Sequence, residues 1–296
     1  MKRRWATVLV AVVACVGATL APLIPPPVIP PAVMAPAASA AAPPPTRILC
    51  LSASATQMLY AIGAGKQVVG VDKYSTWPPN APRTELTGYE ASAEDYLYLH
   101  PDLVVFAFSE GSLIHQLADL HIRTLLLPPA ATMAQVDAQL TELGQVTGHT
   151  AQARGVEKSL AAHVRAAVRS AGGHGKGETY YIELGPGYYT ATSRTFMGAE
   201  LSLFGLEDIA DPAGKATMWP QISAEYILKQ DPDYVFLADT VCCHQTPSSF
   251  AKRPGFNLLR AVQSHHVVAV NDSFAQEWGP HSIEAFVGLI ARVLAK

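Results

Sequence analysis

The sequence predicts an α/β protein with two parallel-sheet lobes joined by a single long helix. Three observations lead to this fold class: one segment occurs twice, strands alternate with helices in both halves, and a long helical pattern separates the halves. The 296 residues are enough for two such lobes, each with its own hydrophobic core. With 49% apolar and 15% charged residues, the composition is that of a globular protein.

The repeated segment gives the strongest evidence for two related lobes. An S-A-E triplet begins at Ser92 and again at Ser223, and in both copies a P-D pair starts nine residues after the serine. The serine suits a helix N-cap, and the acid two residues later, Glu94 or Glu225, complements the positive end of the helix dipole. The proline ends that helix, and the apolar run after it is typical of a buried parallel strand.

Strands and helices alternate around the repeat in each half. The first half predicts strands at 48–51, 68–71, after Pro101 and at 124–127, with helices at 55–62 and 113–120. The second half predicts strands at 180–184, after Pro232 and at 267–270, with helices near 196–204 and at 256–262. Between them, residues 152–171 have helical spacing without proline. We therefore expect an N-terminal lobe at 47–148, a connecting helix at 149–173 and a C-terminal lobe at 174–296.

The amino end predicts export rather than fold. Residues 2–4 are basic and residues 5–20 carry no charge, which is the pattern of a signal peptide. A proline-rich stretch follows, so we expect residues 1–40 to be signal and proline-rich segment and 41–46 a tether. Two processing sites compete: cleavage after Ala40 would release a soluble exported protein, whereas a lipobox ending at Cys15 would give a lipid anchor. That anchor would be the chain's one link to a membrane.

Loops that leave the predicted strands are rich in aromatic and hydroxyl side chains. Because ligands of parallel α/β sheets bind beyond the carboxyl ends of the strands, these loops should line a cleft shared by the lobes. Packing against the core is the alternative for each ring. The predicted ligand-binding residues are Tyr74, Ser75, Trp77, Tyr89, Tyr188, Trp219, Phe274 and Trp278.

The cysteines and histidines do not predict a metal site. Cys242 and Cys243 follow a strand, and in an exported protein they could form a vicinal disulfide, bind a soft metal with His244, or be two free thiols. We favour the disulfide. The histidines lack the spacing of a zinc protease, and we expect neither a metal centre nor a cofactor.

Charge and missing motifs exclude several function classes. The formal net charge of −3 argues against nucleic-acid binding, which needs a basic surface. The chain lacks a G-x-S-x-G elbow, a phosphate-binding loop and a G-x-G-x-x-G sequence. We therefore expect no enzymatic activity, with an exported hydrolase that uses an acid pair as the alternative from another class.

Several segments in order resemble periplasmic binding proteins for cobalamin and ferric siderophores. The sequence KYSTWPP at 73–79, the two S-A-E…P-D segments and WPQIS at 219–223 carry the resemblance, which covers 47–296. RPGF at 253–256 and WGP at 278–280 also fit. The resemblance implies two lobes on a rigid helical backbone, and a monomer that captures a chelate outside the membrane and delivers it to an ABC importer.

The resemblance also implies roles for individual residues. Glu94 and Glu225 match the glutamates that dock, one per lobe, onto arginines of the two permease subunits. Tyr74 and Trp219 match an aromatic pair that contacts a corrin ring, and Tyr89 lies near a further aromatic position. The candidate cleft loops offer few cations, chiefly Lys73 and Arg194, so we expect a nearly neutral corrinoid rather than an anionic ferric siderophore, with haem as a further alternative.

Overall fold

The computed structural model describes residues 43–88, 93–108 and 111–295. Four sequence-based predictions lie outside these residues: the export signal, the lipid-bearing Cys15, the ligand contact at Tyr89 and the helix N-cap at Ser92. Within the described residues, no helix combines the length and apolar character that crossing a membrane would need.

The first lobe is built on a four-stranded parallel sheet. Its strands are β1 (Ile48–Leu51), β2 (Val68–Val71), β3 (Leu103–Phe106) and β4 (Arg123–Leu126), in the spatial order β2-β1-β3-β4. The central strands β1 and β3 are wholly apolar and buried, as expected of strands covered on both faces. Its helices are α1 (Ala53–Ala61), α2 (Glu94–Leu97) and α3 (Gly111–Asp119).

The second lobe repeats this arrangement. Its strands are β5 (Thr179–Glu183), β6 (Glu207–Asp208), β7 (Tyr234–Leu237) and β8 (Val267–Ala269), in the order β6-β5-β7-β8. Its helices are α6 (Phe196–Ser202), α7 (Ala224–Gln230), α8 (Pro247–Ala251), α9 (Arg260–Gln263) and α10 (Asp272–Gln276). The two sheets share one strand order, which confirms the predicted α/β fold of two parallel-sheet lobes.

The aspartate of each P-D pair explains why that dipeptide recurs. Asp102 accepts hydrogen bonds from the Thr46 backbone N–H and hydroxyl at 2.8 and 2.9 Å, just before β1. Asp233 accepts the same two bonds from Thr179, both at 2.8 Å, at the start of β5. Burial alone would raise the pKa of both carboxyls, but these hydrogen bonds outweigh it and lower the pKa. Each aspartate therefore ties the loop before one strand to the neighbouring strand.

Helix starts in the second lobe agree with the sequence in one place and differ in another. Ser223 caps α7, with its hydroxyl accepting from the Tyr226 N–H at 3.2 Å, as the repeat predicts. The predicted helix at 256–262 is split: a short 3-10 turn at Phe256–Leu258 is followed by α9. The break occurs because Leu259 is extended, with ψ 140°, and cannot continue either helix.

The link between the lobes is more extensive than the sequence predicts. Helix α5 (Thr150–Ser170) matches the predicted connecting helix, but α4 (Met133–Thr147) precedes it and was not predicted. The carboxyl-terminal helix α11 (Pro280–Leu294) packs along α5 and also contacts α1 of the first lobe. One apolar core therefore runs from β1 and β3 through α4, α5 and α11 to β5 and β7.

Candidate functional site

A cavity of about 750 Å³ lies between the lobes, among the loops that leave the carboxyl ends of the strands. Both lobes form its walls, as expected where two parallel sheets face each other. The first lobe contributes Ser52, Ser54, Asp72, Lys73, Tyr74 and Phe108, among others. The second lobe contributes Trp219, Val241, Cys242, Asp272, Glu277 and Trp278, among others.

Strongly exposed aromatic rings line this cavity, and one comes from each lobe at the positions that the sequence predicts. Tyr74 of the first lobe is 54% exposed and Trp219 of the second is 50% exposed. Exposed rings of this size beside a cavity mark a surface that a ligand with apolar faces would cover. Lys73 places its ammonium 5.1 Å from the centre of the Tyr74 ring, which favours one orientation of that side chain.

A buried hydrogen-bond cluster positions the Tyr74 loop. Asp72 accepts from the Ser75 N–H at 2.9 Å and from the Ser75 hydroxyl at 2.6 Å. The Ser75 hydroxyl also bonds with that of Thr56 on α1 at 3.0 Å. Burial raises the pKa of Asp72 in spite of these bonds. Ser75 is itself buried, so it braces the loop and does not line the cavity.

The loop that carries Trp219 is held by main-chain groups. The Trp219 N–H donates to the Thr217 hydroxyl at 3.1 Å, and the Thr190 N–H donates to the Pro220 carbonyl at 3.0 Å. Arg194 donates to the carbonyls of Gly214 and Thr217. Its guanidinium therefore braces this loop and is absent from the cavity lining, which corrects the expectation that Arg194 supplies a cation to the cleft.

Trp278 is fixed by hydrogen bonds that cross between the lobes. Its backbone N–H donates to the Ser54 hydroxyl at 3.0 Å, and its indole N–H donates to Gln139 Oε1 on α4 at 2.9 Å. Beside it, Gln57 on α1 donates to Glu277 at 2.5 Å and to the Ser282 hydroxyl at 2.8 Å. Burial raises the pKa of Glu277 to about 7. The loop before α11 is thereby tied to the first lobe.

Three other predicted residues lie outside the cavity lining. Trp77 stacks on His281 with ring centres 3.9 Å apart, and Phe274 meets the same ring edge-on at 5.7 Å. Tyr188 packs against Phe256 at 5.9 Å, beside the Arg253 guanidinium. Of the eight predicted ligand residues, Tyr74, Trp219 and Trp278 therefore line the cavity, and their contact with a ligand stays a prediction.

Sequence reasoning missed the acids of the cavity wall. Asp72 follows β2 directly, and Asp272 comes three residues after β8, so the rule that selected the aromatic residues could also have found these two. Asp272 accepts from the N–H groups of Val241 and Cys242 at 3.0 and 2.8 Å. Asp272 thus holds the loop that carries Cys242 and Cys243 at the wall of the cavity.

The sulfur atoms of Cys242 and Cys243 lie next to each other, as a disulfide between them would require, and Cys242 lines the cavity. The bond itself stays a prediction. Throughout residues 43–88, 93–108 and 111–295, no three histidine, cysteine or acidic side chains are grouped so that they could hold a metal ion. The soft-metal alternative with His244 therefore has no support from the geometry.

A buried acid pair lies in the second lobe, at the ends of β5 and β7. Glu183 binds the Arg253 guanidinium through both oxygens, at 2.5 and 2.7 Å, and Asp239 lies beside it. Burial and the neighbouring Glu183 raise the pKa of Asp239 to about 7. Both acids are inaccessible and lie outside the cavity lining, and Glu183 anchors Arg253 and its loop.

The predicted docking acids are on the surface of both lobes. Glu94 is exposed in the first turn of α2, and Glu225 is exposed in the first turn of α7. Hydrogen bonds from its own backbone N–H and from Ser223 lower the pKa of Glu225. Because helices run opposite to the strands in α/β lobes, we expect both acids to lie toward the edge of the sheets from which the cleft loops leave.

Two α/β lobes with an aromatic-walled cavity between them define a binding protein for a small solute. Comparison with known proteins narrows the class. The periplasmic binding protein family model matches residues 48–273, and the chain belongs to this family. The resemblance seen in the sequence is thereby confirmed.

Two curated relatives are similar over most of the chain. The uncharacterized ABC transporter substrate-binding lipoprotein YvrC of Bacillus subtilis is 29% identical over 249 residues, covering 81% of this chain and 77% of that one. The cobalamin-binding protein of Halobacterium salinarum is 28% identical over 253 residues, covering 81% of this chain and 67% of that one.

Two solved structures share the fold. The vitamin B12 binding protein BtuF of Vibrio cholerae has a TM-score of 0.70 at 21% identity, covering 86% of this chain and 99% of that one. The heme-binding protein RhuT of Roseiflexus sp. RS-1 has a TM-score of 0.73 at 20% identity, covering 84% and 97%. Proteins that bind different chelates therefore share this architecture.

Proposed function

We propose that this protein binds a corrinoid, cobalamin or a close relative, outside the cytoplasmic membrane and delivers it to an ABC importer. The observation that carries the proposal is that two half-exposed rings, Tyr74 of the first lobe and Trp219 of the second, line one cavity. A flat macrocycle between them would cover both rings. The relatedness to a cobalamin-binding protein and to an ABC transporter lipoprotein supports the same ligand class and transport role.

Binding on this proposal needs no covalent chemistry. The ligand would be held by burial of apolar surface against the rings and by polar contacts from side chains of the wall. Helices α5 and α11 and the bonds of Trp278 keep the two walls in place before a ligand arrives. A cavity formed in advance lowers the entropic cost of binding, which favours tight capture from dilute solution.

Delivery would depend on Glu94 and Glu225. Both are exposed carboxylates in the first turn of a helix, at matching places in the repeat. A permease with two related subunits could receive both through arginines, because arginine binds carboxylate through two parallel hydrogen bonds. The docking role extends from the family resemblance to these two residues of this chain.

The cellular location also belongs to the proposal. The basic residues 2–4 and the uncharged run at 5–20 support export, and Cys15 would carry a lipid if the lipobox is used. The proline-rich stretch would then separate the lipid from the lobes. Intact-mass analysis of the processed protein distinguishes acylation at Cys15 from cleavage after Ala40.

The test is a titration of the purified protein in which its intrinsic tryptophan fluorescence is monitored. The ligands are cyanocobalamin, haemin and a panel of ferric siderophores. Saturable quenching by cyanocobalamin, with weaker or no response to the others, is the expected result because Trp219 and Trp278 line the cavity. If only haemin or a siderophore gave saturable quenching, the family assignment would stand and the proposed ligand would be wrong. No response to any of them would contradict the proposed ligand class.

A further inference from the structure

We infer that the cavity selects corrinoids by charge, binding a cationic form more tightly than a neutral one and disfavouring anionic chelates. This inference rests on the proposed function and adds a specificity that neither the relatives nor the fold assigns. The feature that carries it is the charge of the wall. Among the lining residues that the structure describes, three are acidic, Asp72, Asp272 and Glu277, and Lys73 is the one lysine or arginine.

The three carboxylates are held in place by neutral donors. Asp72 accepts from the N–H and hydroxyl of Ser75, and Asp272 accepts from the N–H groups of Val241 and Cys242. Glu277 accepts from the side-chain amide of Gln57 at 2.5 Å. These bonds fix the positions of the oxygens without adding a positive charge that would cancel theirs.

Three arginines in the described part of the second lobe are engaged away from the wall. Arg194 donates to backbone carbonyls, and Arg253 pairs with the buried Glu183. Arg260 pairs with Asp231 and Asp233, which flank Pro232 of the repeated segment. None of the three lines the cavity. In the described cavity lining, Lys73 is therefore the one lysine or arginine whose positive charge offsets that of the three acids.

The start of helix α1 partly offsets the negative charge of the wall. The amino end of α1 reaches the wall at Ser52 and Ser54, and a helix start carries about half a positive charge. Burial raises the pKa of Glu277 to about 7, so this carboxyl carries about half a charge near neutral pH. With Asp72 and Asp272 ionised, the three acids still outweigh Lys73 and the helix start by about one charge. A ligand seated between Tyr74 and Trp219 would therefore meet a negative potential focused by low-dielectric walls.

The inference predicts an order of affinity within one ligand skeleton. Aquacobalamin carries a positive charge near neutral pH, whereas cyanocobalamin is neutral and has the same corrin ring and side chains. From Coulomb interaction across about 8 Å in a partly screened site, we expect aquacobalamin to bind about three- to tenfold more tightly. Haemin, with two propionates, should bind more weakly than either.

The experiment measures the affinity ratio of aquacobalamin to cyanocobalamin by tryptophan quenching of the full protein, at low and at high NaCl. Asp272→Asn should lower this ratio about two- to threefold, because it removes a charge while keeping the size of the side chain. Glu277→Gln should lower the ratio by less, because burial raises the pKa of Glu277 to about 7 and leaves its carboxyl partly protonated near neutral pH. Glu142→Gln removes an exposed charge outside the cavity lining and should leave the ratio unchanged. The ratio of the two affinities is not changed by a loss of structure that weakens the binding of both ligands equally.

High NaCl should lower the ratio in the wild-type protein, since screening weakens charge preference and leaves apolar contact intact. The absorption spectrum of bound aquacobalamin must keep its aqua form, because replacement of the water by a protein ligand would raise affinity for another reason. Equal affinities, or a ratio that neither salt nor the two variants lower, would overturn the inference and leave corrinoid binding intact. If neither corrinoid binds, the proposed function fails first.

Discussion

Removing the Trp219 side chain tests the cavity most directly. The ring is 50% exposed, and an aromatic side chain presents about 150–250 Å² in all, so about 100 Å² is left for a ligand to cover. At about 25 cal/mol per Å² this burial contributes about 2.5 kcal/mol, or about 70-fold in Kd. We therefore expect Trp219→Ala to weaken cyanocobalamin binding by about that factor.

The fold should tolerate the change, because main-chain hydrogen bonds hold this loop and the ring is half in solvent. The assay is calorimetric titration, with thermal unfolding to check the fold. Trp77→Ala is the matched control: that ring is 41% exposed but lies outside the cavity lining, against His281. We expect it to change affinity less than about threefold. An unchanged Kd in Trp219→Ala with an intact fold would refute the assignment of the cavity.

Three further predictions follow from the same contacts. Glu94→Ala with Glu225→Ala should leave ligand affinity unchanged and abolish ligand uptake by cells, which a transport assay measures; persisting uptake would contradict docking. Ser75→Ala should lower the free energy of unfolding by about 1–2 kcal/mol, measured by denaturant titration, because its hydroxyl bonds to Asp72 and Thr56. Burial raises the pKa of Glu277 to about 7, so the folded protein holds this proton more tightly than the unfolded chain does, and the contribution of Glu277 to the free energy of unfolding should fall by about 3 kcal/mol as pH rises from about 4.5 to 7. Glu277→Gln should remove that share of the fall, and an identical pH profile would contradict it.

The repeat could be predicted from sequence because its parts act locally. Ser223 caps the helix that follows it, and Asp102 and Asp233 bond to the chain that begins the neighbouring strand.

The sequence pattern does not predict helix α4, and the reason is also local. Its buried face includes Gln139 and Thr147, whose side chains bond to backbone carbonyls, so polar residues interrupt the apolar spacing that signals a helix.

The direction of a loop aromatic could not be predicted, because it depends on a partner far along the chain. Trp77 lies three residues from Tyr74, yet its ring stacks on His281 while Tyr74 lines the cavity. The Tyr188 ring likewise packs against Phe256. Residue type and strand order place these rings at the correct edge of the sheets, and long-range packing then decides which of them face a ligand.

The hydrogen bonds around Trp278 bear on how a bound ligand could leave. Opening the cavity by separating the lobes would break the bonds of Trp278 to Ser54 and Gln139 and the bond of Gln57 to Glu277. At about 1 kcal/mol each, and with the packing of α11 on α1 and α5 added, the free protein should open rarely. On the proposed function, release therefore needs an outside force on both lobes at once. One docking carboxylate on each lobe is the arrangement that would let a two-subunit permease apply it.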